Sequence, residues 1–312
     1  MVNFRFHLVS LVAVFLALGL GILVGSTVVD QSIVDRLDRE IRTARRDTAA
    51  VKAENRQLVE AVGRGEEYAR RSAPYTVADR LDGVPVVVVA ESGVSPTVPR
   101  DLVAALRTAG ADVPGTVWLE DPWRLDAADD LRALEEAVET TGNNARVRAA
   151  ALDALAARLG GPASNSGPDL LAMLRADGFV RFSDGDPADF TAFPARRARV
   201  VLVTGTDSRL EGTDVLADLA SAFVGEGSPV VAAEAYDDHD GRSPIPERGV
   251  AVAPVRGDRA LAARVSTVDA ADLAPGVVTT VLAVATPGTI GHYGFGAGAR
   301  APLPEVPDRP GP

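Results

Sequence analysis

The chain contains no cysteine, and its 312 residues include only three histidines and two methionines. Without cysteine the chain has no disulfide scaffold, thiolate zinc site, iron–sulfur cluster or thiol nucleophile. Three scattered histidines offer few ligands for a transition metal. A formal net charge of -11 also matches nucleic acid poorly. The composition therefore points away from metalloenzymes and from nucleic-acid partners.

Charge is distributed unevenly along the chain. Residues 1–29 contain a single charged side chain, Arg5, whereas residues 30–72 contain ten basic and nine acidic residues. Subtracting the +1 of each zone from the total of -11 leaves -13 on residues 73–312. The chain therefore has an apolar N-terminus, a dense mixed-charge stretch and an acidic body.

An uncharged apolar run covers Leu8–Val29. This run of 22 residues exceeds the roughly 20 needed to cross a bilayer core about 30 Å thick. A cleavable signal sequence has a shorter apolar region, about 7–15 residues, followed by a small-residue cleavage site. Val24–Ser26 matches such a site weakly. We therefore predict a transmembrane signal anchor at residues 1–29, with a cleaved signal peptide as the alternative.

The charges that flank this span leave its orientation open. Arg5 and the amino terminus precede the span, and five arginines follow it between residues 36 and 46. Taken literally, the positive-inside rule places the large domain in the cytoplasm. A short N-terminus followed by a long translocated domain is an equally ordinary topology.

Small residues recur every four positions within the span, and we call them the small-residue stripe: Ala13, Ala17, Gly21 and Gly25. Residues at this spacing share one face of a helix and allow two helix backbones to approach closely. The stripe predicts a packing face between membrane helices. The competing interpretation is that glycine and alanine are frequent in any membrane helix.

Residues 30–72 predict a coiled-coil stalk, because a 3-4 spacing persists over four heptads. Its members form the seam: Val34, Leu37, Ile41, Ala44, Thr48, Val51, Asn55, Leu58 and Val62. β-Branched residues and a lone asparagine at a positions favour two strands in one register. Glu40 with Arg45 and Asp47 with Lys52 are oppositely charged partners between parallel chains. We expect a homodimer or a higher homo-oligomer rather than a solvated single helix.

The body, residues 73–290, has the pattern of a mostly parallel, Rossmann-like α/β domain. The apolar runs Val84–Ala90 and Arg199–Thr204 are typical of strands buried on both faces. Shorter strands alternate with helical segments, which predicts parallel pairing. Gly63, Gly65 and Pro74 are expected to end the preceding helix near Arg71.

The body shows no motif for a catalytic or nucleotide site. The loops that begin at Ser92 and Thr206 lack the glycine spacing of a dinucleotide or P-loop site. Ser92 is also outside any G-x-S-x-G nucleophile elbow. We therefore predict that the protein is not an enzyme and has no cofactor, and we keep small-molecule binding by these two loops as a third possibility.

Candidate metal ligands are few. Asp238 and His239 lie in an acidic run before Gly241, where they could hold a divalent cation or form a solvated turn. His292 lies in a glycine-rich stretch, residues 288–298, that leads into a proline-rich end. We predict a C-terminal tail at 291–312, either as a linker or as a loop that packs on the body or a partner.

Three stretches resemble the actinobacterial copper-transporter family of outer-membrane copper transport. They are the N-terminal Asn3–Ser26, Ser266–Asp269 and the Gly-His-Tyr-Gly-Phe-Gly-Ala-Gly run at 291–298. The resemblance implies a cell-envelope protein of copper homeostasis with copper ions as a partner, an exported body and an outer-membrane location. Repeated alternating strands of a transmembrane β-barrel are not evident. One helix per chain could then form a pore only by oligomerising.

The resemblance and the residues together favour a membrane-anchored, coiled-coil copper transport protein. Cu(I) prefers cysteine and methionine ligands, and Met173 lies in an apolar helical pattern. The chain is therefore expected to conduct or assemble rather than to hold copper tightly. The alternative is a tethered envelope scaffold that transports nothing.

Overall fold

The computed structural model of the chain describes residues 4–161, 168–183, 197–236 and 247–305, with the side chains of residues 26–34 left aside. The chain divides into two compact units, residues 1–65 and 66–312. The long helix α1, Phe4–Val77, begins in the first unit and ends in the second.

The first unit consists of helix α1 as far as Gly65. Phe4–Gly25 has a mean hydropathy of 2.7 and is long and apolar enough to cross a membrane, as predicted. The small-residue stripe is exposed, and a Cβ added at Gly21 or Gly25 would have no neighbour within 4 Å. Among the described residues of the first unit, none covers this face of the span.

The coiled-coil seam lies on the same helix. Its described members, Leu37 to Val62, are all exposed, and Val34 lies outside the described side chains. The helix surface holds intrachain ion pairs four residues apart, such as Arg36–Glu40 at 3.2 Å. The seam residues thus lie on a helix, while the coiled coil and the pairing between chains stay predictions.

The second unit is built on one seven-stranded sheet in the order β3-β2-β1-β4-β5-β6-β7. The β2–β3 pair is antiparallel and all other pairs are parallel. The strands are β1 Val86–Glu91, β2 Thr116–Leu119, β3 Val180–Phe182, β4 Arg199–Gly205, β5 Val230–Ala235, β6 Val265–Val268 and β7 His292–Tyr293. The prediction of a mostly parallel α/β domain is confirmed.

Both faces of the sheet are covered by helices. Along β1, Val87 and Val89 belong to one apolar core while Val86 and Val88 belong to the other, because successive side chains point to opposite faces. This double burial explains the unbroken apolar runs of β1 and β4. The helices after α1 are α2 Thr97–Thr108, α3 Ala128–Ala137, α4 Asn144–Gly160, α5 Leu170–Ala176, α6 Val215–Gly225, α7 Ala253–Gly257, α8 Arg259–Ala262 and α9 Ala274–Ala285, with a 3₁₀ turn at Asp121–Arg124.

Helix α1 ends later than its glycines and Pro74 predict. It passes Gly63, Gly65 and Pro74 and ends at Val77, which is buried together with Leu81 in the core beside α2 and α9. Packing of this apolar end compensates for the backbone hydrogen bond that a proline removes. The predicted end near Arg71 is therefore wrong, and helical residues extend into the segment assigned to the body.

The sheet also continues past the predicted boundary at residue 290. His292 and Tyr293 pair with Thr267 and Val268 of β6, and Tyr293 bridges to Ala301. The glycine-rich stretch thus packs back on the body, which was one of the two interpretations of the sequence. At Gly294, where φ is +129°, an added Cβ would overlap the carboxylate of Asp269, so the close approach requires glycine.

Candidate functional site

The strand order creates a crevice at the carboxyl ends of β1 and β4. From β1 the chain moves outward to β2 and β3, whereas from β4 it moves the opposite way to β5, β6 and β7. The loops after β1 and β4 therefore diverge, and ligands of doubly wound folds bind at such a point. The loops that begin at Ser92 and Thr206 directly follow β1 and β4 and lie at this crevice. The backbone N–H of Arg209 donates to the carbonyl of Ser92 at 2.8 Å, which joins the loops.

A cavity of about 160 Å³ opens on this edge between the loop after β4, the start of α6 and the segment before α7. Its polar side is formed by Glu91, Thr204, Thr206 and Ser208. Its apolar side includes Leu216 and Pro254 from the two helices. No lysine, arginine or histidine lies among the described residues that line it.

Glu91 is the buried carboxylate of this cavity. It is 5% exposed, and the Thr204 hydroxyl donates to its Oε2 at 2.6 Å. Ser208 supplies a second side-chain hydrogen bond. Burial raises the pKa of Glu91 above its ordinary value, and the two hydroxyls offset this rise only in part.

Glu91 is one member of a row of carboxylates across the sheet edge. Thr204 lies opposite Glu234 in the β4–β5 register. The same registers, continued one residue past the paired strands, place Glu91 beside Thr204 and Asp269 beside Glu234. All three carboxylates are buried. We call Glu91, Glu234 and Asp269 the acidic row.

Two members of the acidic row are held by N–H donors. Glu234 accepts from the backbone N–H groups of Gly249, Ala251 and Val252 at 2.7, 2.9 and 3.2 Å. Burial nevertheless raises the pKa of Glu234, and the neighbouring Asp269 adds to this rise. The three bonds fix the segment before α7, which forms one wall of the cavity.

Asp269 anchors the glycine-rich C-terminal stretch. Its Oδ1 accepts from the backbone N–H groups of Phe295 and Gly296 at 2.7 and 3.1 Å. Its Oδ2 lies 3.1 Å from Nη2 of Arg256. The same guanidinium donates to the carbonyl of Tyr293 through Nη2 and to the carbonyl of Ala297 through Nη1. The sequence pattern of this stretch is thus explained by the contacts that it makes with a buried ion pair.

His292, the candidate metal ligand in this stretch, is a buried residue of β7. Its Nδ1 lies 3.0 Å from the hydroxyl of Thr267, and its ring makes a further hydrogen bond to the backbone of Ala262. Burial lowers the pKa of His292, and the positive charges of Arg256 and Arg300 lower it further. These contacts give His292 a structural role in the β6–β7 pair.

Asp238 and His239 lie outside the described residues. Within the described ranges no three His, Cys, Asp or Glu side chains are grouped so as to hold a metal ion. Met173 lies on the short helix α5, which is part of neither the loop at Ser92 nor the loop at Thr206.

The acidic row was missed by the sequence reasoning, although a signal for it was present. Glu91 ends β1, Glu234 is the next-to-last residue of β5, and Asp269 directly follows β6. Because the carboxyl ends of parallel strands meet at one edge, charged residues at these positions come together.

Replacing Glu91 with glutamine tests its buried state. Because the folded pKa is raised, protonated Glu91 gives a stability that is complete below the ordinary glutamate pKa of about 4.3 and is lost as pH rises through the folded pKa. Glutamine has no such loss. In thermal unfolding between pH 4 and 8, we expect the free energy of unfolding of Glu91→Gln, relative to that of the parent chain, to increase with pH. The increase should be about 1.4 kcal/mol for each unit by which the pKa of Glu91 is raised.

Glu211→Gln removes one negative charge from an exposed position on the same cavity and controls for net charge. A difference between Glu91→Gln and the parent chain that stays constant from pH 4 to 8 would contradict the assignment of a raised pKa.

Comparisons with known proteins are consistent along the chain. The family described as copper transport outer membrane protein, MctB, matches residues 1–304. The copper transporter MctB of Mycobacterium tuberculosis (strain ATCC 25618 / H37Rv) is 30% identical over 324 aligned residues, which cover 96% of this chain and 98% of that protein. The copper transporter MctB of Mycobacterium leprae (strain TN) is 28% identical over the same coverage. These relatives are named as transporters rather than enzymes, and the chain belongs to the MctB family of copper transport outer membrane proteins.

Proposed function

We propose that the protein transports copper as a parallel oligomer of single-pass chains, with the ion passing between the α1 helices. The observation that supports this most is helix α1 itself. Its apolar span and its heptad seam lie on one continuous helix, and the described side chains of both are exposed.

Conduction requires more than one chain. The part of the chain that the structure describes has one helix able to cross a membrane, and one helix encloses no path. The small-residue stripe offers a face on which neighbouring helices can approach closely. The seam offers a second contact in the same helix, and the opposite charges of Glu40 with Arg45 and of Asp47 with Lys52 suit parallel chains.

Passage of copper agrees with the ligands that are available. Cu(I) prefers the sulfur ligands of cysteine and methionine, and the sequence contains no cysteine. The buried carboxylates Glu234 and Asp269 already receive hydrogen bonds from backbone N–H groups. The acidic body would attract cations weakly and without selectivity. A tethered scaffold that transports nothing is the alternative.

We further propose that the body is exported, as the outer-membrane family implies. A tag on Pro312 should then be cleaved by protease added to cells whose outer membrane has been made permeable while the inner membrane is intact. Protection of the tag until the inner membrane is lysed would reverse the orientation.

A seam substitution tests the oligomer. Val51 is a d residue that is 55% exposed within the chain, so Val51→Glu has little intrachain cost. A carboxylate facing a second carboxylate in the seam should shift the detergent-solubilised protein from oligomer to monomer in light scattering. The neighbouring Ala50→Glu introduces the same charge off the seam and should leave the mass unchanged. Equal masses for both variants would argue against the coiled coil.

A stripe substitution tests transport. Gly21 lies on the small-residue stripe and Gly19 lies on the opposite side of the helix, and an added Cβ meets nothing at either position. In proteoliposomes loaded with copper, Gly21→Leu should lower copper efflux at least tenfold, because a bulky residue separates the packed helices. Gly19→Leu should retain efflux. Absence of efflux from the unsubstituted protein would favour the scaffold instead.

A further inference from the structure

The three carboxylates of the acidic row have different hydrogen-bond donors. Glu234 receives three backbone N–H groups, and Asp269 receives two together with the guanidinium of Arg256. Within the described residues, the donors to Glu91 are the hydroxyls of Thr204 and Ser208. Glu91 thus lacks the N–H donors that satisfy the other two members.

The space beside Glu91 is open where the corresponding space beside the other members is filled. Backbone of the segment before α7 covers Glu234, and the glycine-rich stretch covers Asp269. Glu91 lines the cavity of about 160 Å³ instead. A ligand in this cavity would occupy the position that N–H donors occupy at the other two carboxylates.

The lining of the cavity favours a small organic cation. Glu91 and Glu211 are acidic, and no basic side chain lies among the described lining residues, which disfavours anions such as phosphate. The hydroxyls of Thr204 and Ser208 bond to the carboxylate, Thr206 lines the same cavity, and Leu216, Val250 and Pro254 offer apolar contact. Ca²⁺ and Mg²⁺ need six or more oxygen ligands and are poorly matched by a single buried carboxylate.

We propose that this cavity binds a small primary ammonium compound, with Glu91 as its counter-ion and Leu216, Val250 and Pro254 around its alkyl group. An ammonium group donates three hydrogen bonds, which suits a carboxylate flanked by hydroxyls. At about 30 Å³ per water-sized group, the cavity holds roughly five non-hydrogen atoms. This site is separate from the copper path proposed between the α1 helices.

The test is calorimetric titration of the full-length, detergent-solubilised protein with n-butylammonium chloride. n-Butanol serves as a neutral ligand of the same shape, and sodium butyrate serves as an anionic one. We expect saturable binding of n-butylammonium alone. Glu91→Gln should weaken it about tenfold to a hundredfold, because hydrogen bonds to a charged group are lost. Glu226→Gln, at an exposed position at the end of α6 and outside the cavity lining, removes the same charge and should change the affinity less than threefold.

A second variant keeps the carboxylate and fills the space. Ala217 lines the cavity, and Ala217→Leu should abolish binding while Glu91 remains. Binding of n-butylammonium that survives both Glu91→Gln and Ala217→Leu would overturn the proposal. It would be overturned equally by n-butanol binding as tightly as n-butylammonium, or by magnesium or copper(II) chloride binding in a Glu91-dependent way when n-butylammonium does not.

Discussion

The parallel pairing of β1 with β4 is the interaction on which the rest of the α/β unit depends. These two central strands are buried on both faces and hold the helices of both cores in place. Because the chain leaves them in opposite directions, the crevice at their carboxyl ends follows from topology alone. The register of the same pair brings Thr204 beside Glu91, so the chemistry of the crevice depends on a one-residue choice of pairing.

Buried carboxylates at this edge are costly unless they receive hydrogen bonds. Two segments of irregular backbone meet that cost, one before α7 and one at the C-terminus. Each segment presents two or more backbone N–H groups to a carboxylate. The two segments also contact each other, since the N–H of Ala297 donates to the carbonyl of Arg248 at 2.9 Å. The glycine-rich end of the chain is therefore part of the structure of the sheet edge.

Much of this fold could be predicted from the sequence. The apolar runs of β1 and β4 identify central strands, and the alternation of shorter strands with helical segments indicates the parallel pairing that the sheet shows. β7 was missed, since two residues among glycines show no periodicity. The end of α1 was misplaced because Pro74 is a local signal, whereas the burial of Val77 and Leu81 is a tertiary one.

The candidate site was predictable only in outline. The loops at Ser92 and Thr206 were selected from topology, and they do lie at the crevice. The residue that distinguishes the crevice, Glu91, belongs to the strand rather than to the loop, and its burial depends on neighbours 113 positions away in sequence. His292 shows the reverse case, because its residue type indicates metal binding while its neighbours in β6 give it a structural role.

Helix α1 presents the opposite problem, since most apolar side chains of its span and seam are exposed in the described part of the first unit. Burying a leucine or valine from water is worth roughly 1.5–3 kcal/mol, so an unpaired seam leaves that stabilisation unrealised. The seam alone is weak, because Ala44, Thr48 and Asn55 contribute little apolar area at its centre. The stripe alone gains little from the hydrophobic effect, because lipid solvates it as well as another helix does. Because the two contacts lie on one helix, formation of either contact raises the effective concentration for the other. Each contact therefore lowers the entropic cost of forming the other. The assembly proposed for the chains would thus depend on the continuity of α1.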